Sequence, residues 1–299
     1  MPKLNADFVA DWVAMLRSYL IGEQKWSAVQ VAALPDWDLP SHYFDAQRRR
    51  IASIPRTIEI GDSFVCPPCH EAGWIMLQEK VRKGEDINSH LSTRHISLFN
   101  PDGLLAEWGV HHFHLGTTLY PKNPAYADRT GPLLYAIVGN EAFYAINVYD
   151  HYSFENIDVL ESIHRNWPEM ISRYRVKGVT GGAWDKEQRQ ALRRKNANVA
   201  VTTSDGTVYM PISGGVVASG INMEAIRLAD YWFLKIRGFQ SDFEKQLTSL
   251  LPTLTQNRYA GEDTIEAELK SFSGENAQVF LPKYDVLATV ALVQSALSP

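Results

Sequence analysis

The stretch WGVHHFHLG, residues 108–116, sets His111, His112 and His114 within four positions. Histidine has an unperturbed pKa of about 6.5, so one copy can take a proton while another gives one up near neutral pH. Two imidazoles facing one substrate therefore suit cleavage of a phosphodiester by the neighbouring ribose 2′-hydroxyl. Such a reaction also needs positive charge for the phosphate in its transition state. Arg129, just before TGPLLYAIV, and Arg94 in LSTRHISLF are the candidates. A rival chemistry uses His112-x-His114 as two metal ligands, with His151 and a carboxylate such as Asp150 completing the set and a position left open for water. A third reading gives the histidines only hydrogen bonds inside a half-buried sheet.

A second stretch, VCPPCHEAG at 65–73, matches the written pattern for haem attachment and supplies half of a zinc site. It also has the form of a disulfide-exchange motif, because a helix N-terminus lowers a thiol pKa. The residues after it point elsewhere. Pro67 and Pro68 stand where a helix tolerates proline, Glu71 falls in the first turn, Lys80, Arg82 and Lys83 in the last, and Gly84 beyond. We read Cys66 and Cys69 as reduced, metal-free residues flanking a Pro-Pro helix start, and place no function on them.

The elements that must position the histidines follow from periodicity. LLAEWGVHHFHLG reads as a strand whose alternation puts Trp108, Val110, His112 and His114 on one face, and His111, Phe113 and Leu115 in apolar packing on the other. PLLYAIVGNEAFYAINVYDH is a hairpin turning at Gly139 and Asn140. Strict alternation in its second strand puts Tyr144, Ile146 and Val148 on one side, and Phe143, Ala145, Asn147, Tyr149 and His151 on the other. With the two segments in one sheet, His112, His114 and His151 would act as catalysts with Arg129, and Arg94, Asn147 and Tyr149 would bind substrate.

The stretch from about Ile96 to His151 resembles the sheet of RelE/ParE-type toxins, whose metal-independent ribonucleases carry histidine, arginine, lysine or tyrosine on the strands. The resemblance implies that His112 or His114 holds an acid/base position, that Arg129 is the arginine leading the next strand, and that His151 is the strand-terminal catalytic residue. It covers under a fifth of the chain. The family is small and strongly basic, whereas this chain has 299 residues and a net charge of −5.

Around that stretch, residues 6–21 predict an amphipathic helix capped by Asn5, and Arg48, Arg49, Arg50 and Arg56 read as a solvated helix face. ENIDVLESIHRNW is helical, with His164 as packing. Further on come a basic helix, DKEQRQALRRKN, and a hairpin turning at Asp205 and Gly206. A glycine-rich loop then precedes a helix capped by Asn222, and it reads as a plain turn more readily than as a phosphate cradle. Tyr231, Trp232 and Phe233 read as core, and the last segments as a short strand, QVFL, and a final apolar helix.

The expected fold is α+β, an antiparallel central sheet with helices at both ends and room for a second, smaller α+β domain. We divide it into an N-terminal helical region (1–85), a central sheet domain carrying the histidines (86–180) and a C-terminal α+β region (181–299). The acidic balance argues against broad nonspecific attachment to nucleic acid, and no run of 18 apolar residues predicts a membrane span. Asp7 and Asp11 interrupt any apolar leader, so the expected location is the cytoplasm. The leading expectation is a metal-independent ribonuclease of toxin or defence type, with RNA as substrate, a neutralising protein as partner and no cofactor. The alternatives are a metal-dependent hydrolase built on His112-x-His114 and a non-catalytic interaction subunit.

Overall fold

The computed structural model describes residues 2–99, 102–150, 156–179 and 184–292. The chain forms two compact units, one of residues 1–44 with 225–299 and one of residues 45–224, so the expected boundaries near 85 and 180 both fall inside the second unit. The first elements are β1 (Lys3–Asn5), α1 (Phe8–Gly22), α2 (Ala28–Ala32) and α3 (Leu39–Arg48). Then come β2 (Thr57–Ile60), α4 (Glu71–Lys83), α5 (Gly103–Trp108), β3 (Val110–His114), β4 (Pro132–Val138) and β5 (Ala142–Asp150). They are followed by α6 (Asp158–Asn166), α7 (Pro168–Ile171), β6 (Arg175–Val176), α8 (Lys186–Arg194), β7 (Val201–Thr202) and β8 (Val208–Tyr209). The last described elements are α9 (Met223–Gln256), β9 (Thr264–Glu266), β10 (Glu268–Phe272), β11 (Asn276–Leu281) and β12 (Val286–Ala291). The fold class is α+β.

In the first unit the cap of α1 is Asp7, whose carboxylate accepts the Ala10 N–H at 2.9 Å. Asn5, the expected cap, lies instead in β1, which pairs in parallel with β9. Phe8 stacks on Phe239 and Trp12 meets Phe233 edge-on, with ring centroids 5.6 and 5.4 Å apart, so the aromatic run of α9 is packing as expected. The described part of the expected final helix is the strand β12. Asp285, at φ +53°, turns the chain back so that Val286–Ala291 pairs along the whole of β11. Its residues alternate between partly buried and exposed, the period of a strand.

The second unit is built on a four-stranded sheet in the order β2-β5-β4-β3. The expected antiparallel sheet is thus mixed, because TIEI at 57–60 joins β5 in parallel while β5, β4 and β3 run antiparallel. One face buries Val110, Leu133, Tyr135 and Ile146 against Val159 and Ile163 of α6. The other buries Phe113, Leu134, Ala136, Phe143 and Ala145 against Trp74, Leu77 and Val81 of α4. Each Val, Leu, Ile or Phe among these contributes about 1.5–3 kcal/mol by leaving water.

Two local departures from simple periodicity shape this sheet. Leu104–Trp108 belongs to a helix, not to the strand, since the Asp102 carboxylate accepts the Leu105 N–H at 3.0 Å and Gly109, at φ +66°, ends the turn. β5 then carries a bulge opposite Tyr135 and Ala136. Beyond it Val148 packs with Phe143 and Ala145, and Tyr149 with Ile146, the reverse of the alternation expected past residue 146.

Burial also corrects the arginine cluster, expected as a solvated face. Arg49 is 3% exposed, and Arg56 is buried with Nε donating to the Gly139 carbonyl at 2.6 Å. CPPC does open α4, through a short 3₁₀ turn at Pro68–His70, and Gly84 at φ +70° closes it. His164 is held by polar contacts, with Tyr209 Oη 2.9 Å from Nδ1 and Asp205 Oδ2 3.1 Å from Nε2, bridging α6 to the β7–β8 hairpin.

Candidate active site

β3 is one of the two edge strands of the sheet, and a cleft of about 640 Å³ within the second unit runs beside it. His111, His112 and His114 all line this cleft although they alternate along the strand, because a cavity at an edge can be reached from both faces. Alternation itself holds as expected: His112 and His114 lie opposite Tyr135 and Leu133 on one face, and His111 lies on the face of Phe113, its ring centroid 6.2 Å away. Ser92, His95, Arg49, Arg94, Arg129, Arg193, Asp102 and Thr130 complete the polar lining.

Each imidazole is held differently. His111 is 8% exposed, and burial depresses its pKa to about 4, which keeps it neutral at physiological pH. The Nδ1 of His114 accepts the backbone N–H of Thr130 at 3.0 Å. The Thr130 carbonyl lies 3.2 Å from the same nitrogen, but a single ring nitrogen cannot accept and donate together. The amide N–H can only donate, so it decides the tautomer and leaves the proton of His114 on Nε2. His90, fully buried, faces the His114 carbonyl through Nδ1 at 2.8 Å and steadies the end of β3. His95 shows the opposite tautomer. Its Nδ1 donates to the Ser92 carbonyl at 2.7 Å, which leaves Nε2 with a bare lone pair, and burial lowers its pKa. His112 has Nδ1 3.8 Å from the carboxylate of Asp102, the residue that caps α5. That carboxylate is within ion-pairing distance of the His112 ring.

The arginines fall into two pairs. Arg49 is tied to Asp45 (3.3 Å), and Arg193 donates through Nε to Glu107 at 2.8 Å, so both bring guanidinium groups already matched by carboxylates. Arg129 bonds the Leu91 carbonyl at 2.8 Å, and Arg94 is exposed. Neither has a carboxylate ion-pair partner among the described residues.

Of the residues expected to act together, the structure gathers His112, His114, Arg129 and Arg94. It does not bring in Asn147 or Tyr149. Asn147 accepts the Val65 N–H at 2.9 Å and donates to Ser63, fastening a loop. Tyr149 stacks edge-on against Tyr135 at 5.1 Å, and burial pushes its hydroxyl up to about 12. His151 lies outside the described residues. Asp102 and His95 were missed: the first because its helix was read as strand, the second because nothing in its spacing links it to residues 111–114. Among the described residues no three His, Cys, Asp or Glu side chains group so as to hold a metal ion. The Cys66 thiol is pushed up by burial and by Glu71, opposite to the shift that activates a thiolate. The glycine-rich loop likewise spends its amides internally, Gly214 on Pro211 and Gly215 on Ala106.

Searches for a matching family model, a similar curated protein and a similar solved structure found no match. No described helix is long and apolar enough to cross a membrane.

Proposed function

We propose that the second unit is a metal-independent ribonuclease that cleaves RNA in the histidine–arginine cleft. The observation that carries this reading is the convergence, at one sheet edge, of imidazoles in complementary tautomers with two arginines that have no carboxylate partner among the described residues. His95 Nε2 takes the proton of the 2′-hydroxyl, whose oxygen attacks phosphorus. His112, with Asp102 3.8 Å from its Nδ1, gives a proton to the departing 5′-oxygen. His114 donates from Nε2 to a non-bridging oxygen, and Arg129 and Arg94 carry charge for the phosphorane. The products are a 2′,3′-cyclic phosphate and a 5′-hydroxyl, with protons balanced. A neutralising protein, as the RelE/ParE-type resemblance implies, would cover this cleft.

The test is cleavage of short single-stranded RNA. The expected outcome is a rate maximum near neutral pH that persists in EDTA and is lost when the scissile ribose lacks its 2′-hydroxyl. His95→Ala and His112→Ala should each lower the rate on the order of 10²–10⁴-fold in folded protein, the range for lost acid–base catalysis. Cleavage of the 2′-deoxy substrate, or full activity in both variants, overturns the reading.

A further inference from the structure

A second pocket of about 330 Å³ adjoins the cleft, and the two share Gly103 and Arg193 as a common wall. The wall is built by a close approach. A Cβ on Gly103 would stand 3.1 Å from Cδ of Arg193, so glycine at this position leaves room for the arginine stem to lie across the start of α5. Glu107 holds the guanidinium at the far end of that stem, which fixes Arg193 as a partition. On the other side, α8 and the turn after it contribute Gln190, Arg194 and Asn196.

These side chains are not equally committed. Asn198, which also lines the pocket, uses both ends of its amide on Val216, with bonds of 2.8 and 2.9 Å. Asn196 donates to Ala218 at 3.0 Å, and no described group occupies its carbonyl oxygen. The side chains of Gln190 and Arg194 make no hydrogen bond or ion pair with described residues. The pocket therefore offers an uncompensated guanidinium beside amide groups that can donate and accept. Its size suits a single nucleotide, at the low end of ligand pockets.

We infer that this second pocket is a nucleotide subsite, taking the residue next to the scissile phosphate of single-stranded RNA. The inference rests on the ribonuclease reading of the cleft. Arg194 meets the flanking phosphate, and the amides of Gln190 and Asn196 meet the base edge, donors and acceptors against acceptors and donors. A single strand leaving the cleft crosses the Arg193 partition to reach them.

Binding of uncleavable probes tests this. A dinucleotide with 2′-deoxyribose at the scissile position is compared, by calorimetry on the full chain, with trinucleotides extended by one residue on the 5′ or the 3′ side. One extension should tighten binding about 10-fold, the size of one or two charge-assisted contacts. Arg194→Ala with Gln190→Ala, the first exposed and the second half-buried on α8, should bring that ratio close to one. Equal affinity for all three probes, or a length preference unchanged in the double variant, overturns the subsite and leaves the cleft reading standing. A preference that depends on Arg194 in a protein that cleaves no RNA supports the subsite and removes the ribonuclease reading.

Discussion

At the level of single residues, the cleft is a set of histidines made unlike one another by what touches each ring. The same property has a consequence for stability. His111 has a folded pKa of about 4, below the roughly 6.5 of an unfolded chain. Between those values the unfolded state binds the extra proton, so the stability due to the neutral ring is complete above about pH 6.5 and is lost as pH falls toward 4. The loss is about 3 kcal/mol at most, and burial moves His90 and His95 in the same direction. Denaturant unfolding at pH 7.5 and 4.5 should therefore show a smaller acid loss in His111→Gln than in the parent. An identical pH dependence would mean that His111 titrates normally in the folded protein. The role of His111 as a packed ring was legible from alternation alone. The tautomers of His95 and His114 were not, since they are set by Ser92 and Thr130 carbonyl and amide groups that only the folded backbone brings into place.

At the level of elements, what could be read from the sequence were the segments with strong local signals. The hairpin β4–β5, the helix α4 between its Pro-Pro start and Gly84, and the Asp205–Gly206 turn each carry their own punctuation. Where the signal was short or two-sided the reading failed. LLAEW is too brief to show a helical period, so the Asp102 cap went unread, and with it the partner of His112. The bulge in β5 leaves no mark in its composition and so misplaced Tyr149. Some contacts between elements rest on one atom. A Cβ on Gly73 in α4 would lie 1.8 Å from the Leu115 carbonyl oxygen, directly after β3. Gly73→Ala should destabilise by at least the 1–3 kcal/mol or so of ordinary overpacking, because a backbone and not a flexible side chain must move. Gly238 in α9 has open space around its Cβ position, and there the same substitution should stabilise by about 0.5–1 kcal/mol through helix propensity. Unfolding midpoints shifted in one direction by both changes would contradict this assignment.

For the molecule as a whole, the net charge of −5 and the cationic cleft have to be weighed together. The net charge argues against a broad phosphate-binding surface, and four of the polar cleft residues, Arg49, His95, Asp102 and Arg193, come from segments that no spacing rule joins to residues 111–114. That is why composition pointed away from nucleic acid while the fold gathers histidines and arginines into one cleft. Of the arginines in the cleft, Arg49 and Arg193 are matched by Asp45 and Glu107, so in the proposed ribonuclease Arg94 and Arg129 are the ones that meet the scissile phosphate. Counter-ion release from single strands gives a slope in log K against log salt of about −0.7 per phosphate neutralised. With the scissile phosphate met by Arg94 and Arg129 and the flanking one by Arg194, two phosphates predict a slope of about −1.4, so raising salt from about 50 to 200 mM should weaken binding of an uncleavable trinucleotide only about 7-fold. The double variant Arg94→Ala with Arg129→Ala should about halve that dependence, to a slope of about −0.7 from the phosphate left on Arg194. A slope of about −3 or steeper, or one unchanged in the double variant, would place the phosphate contacts on a surface other than this cleft.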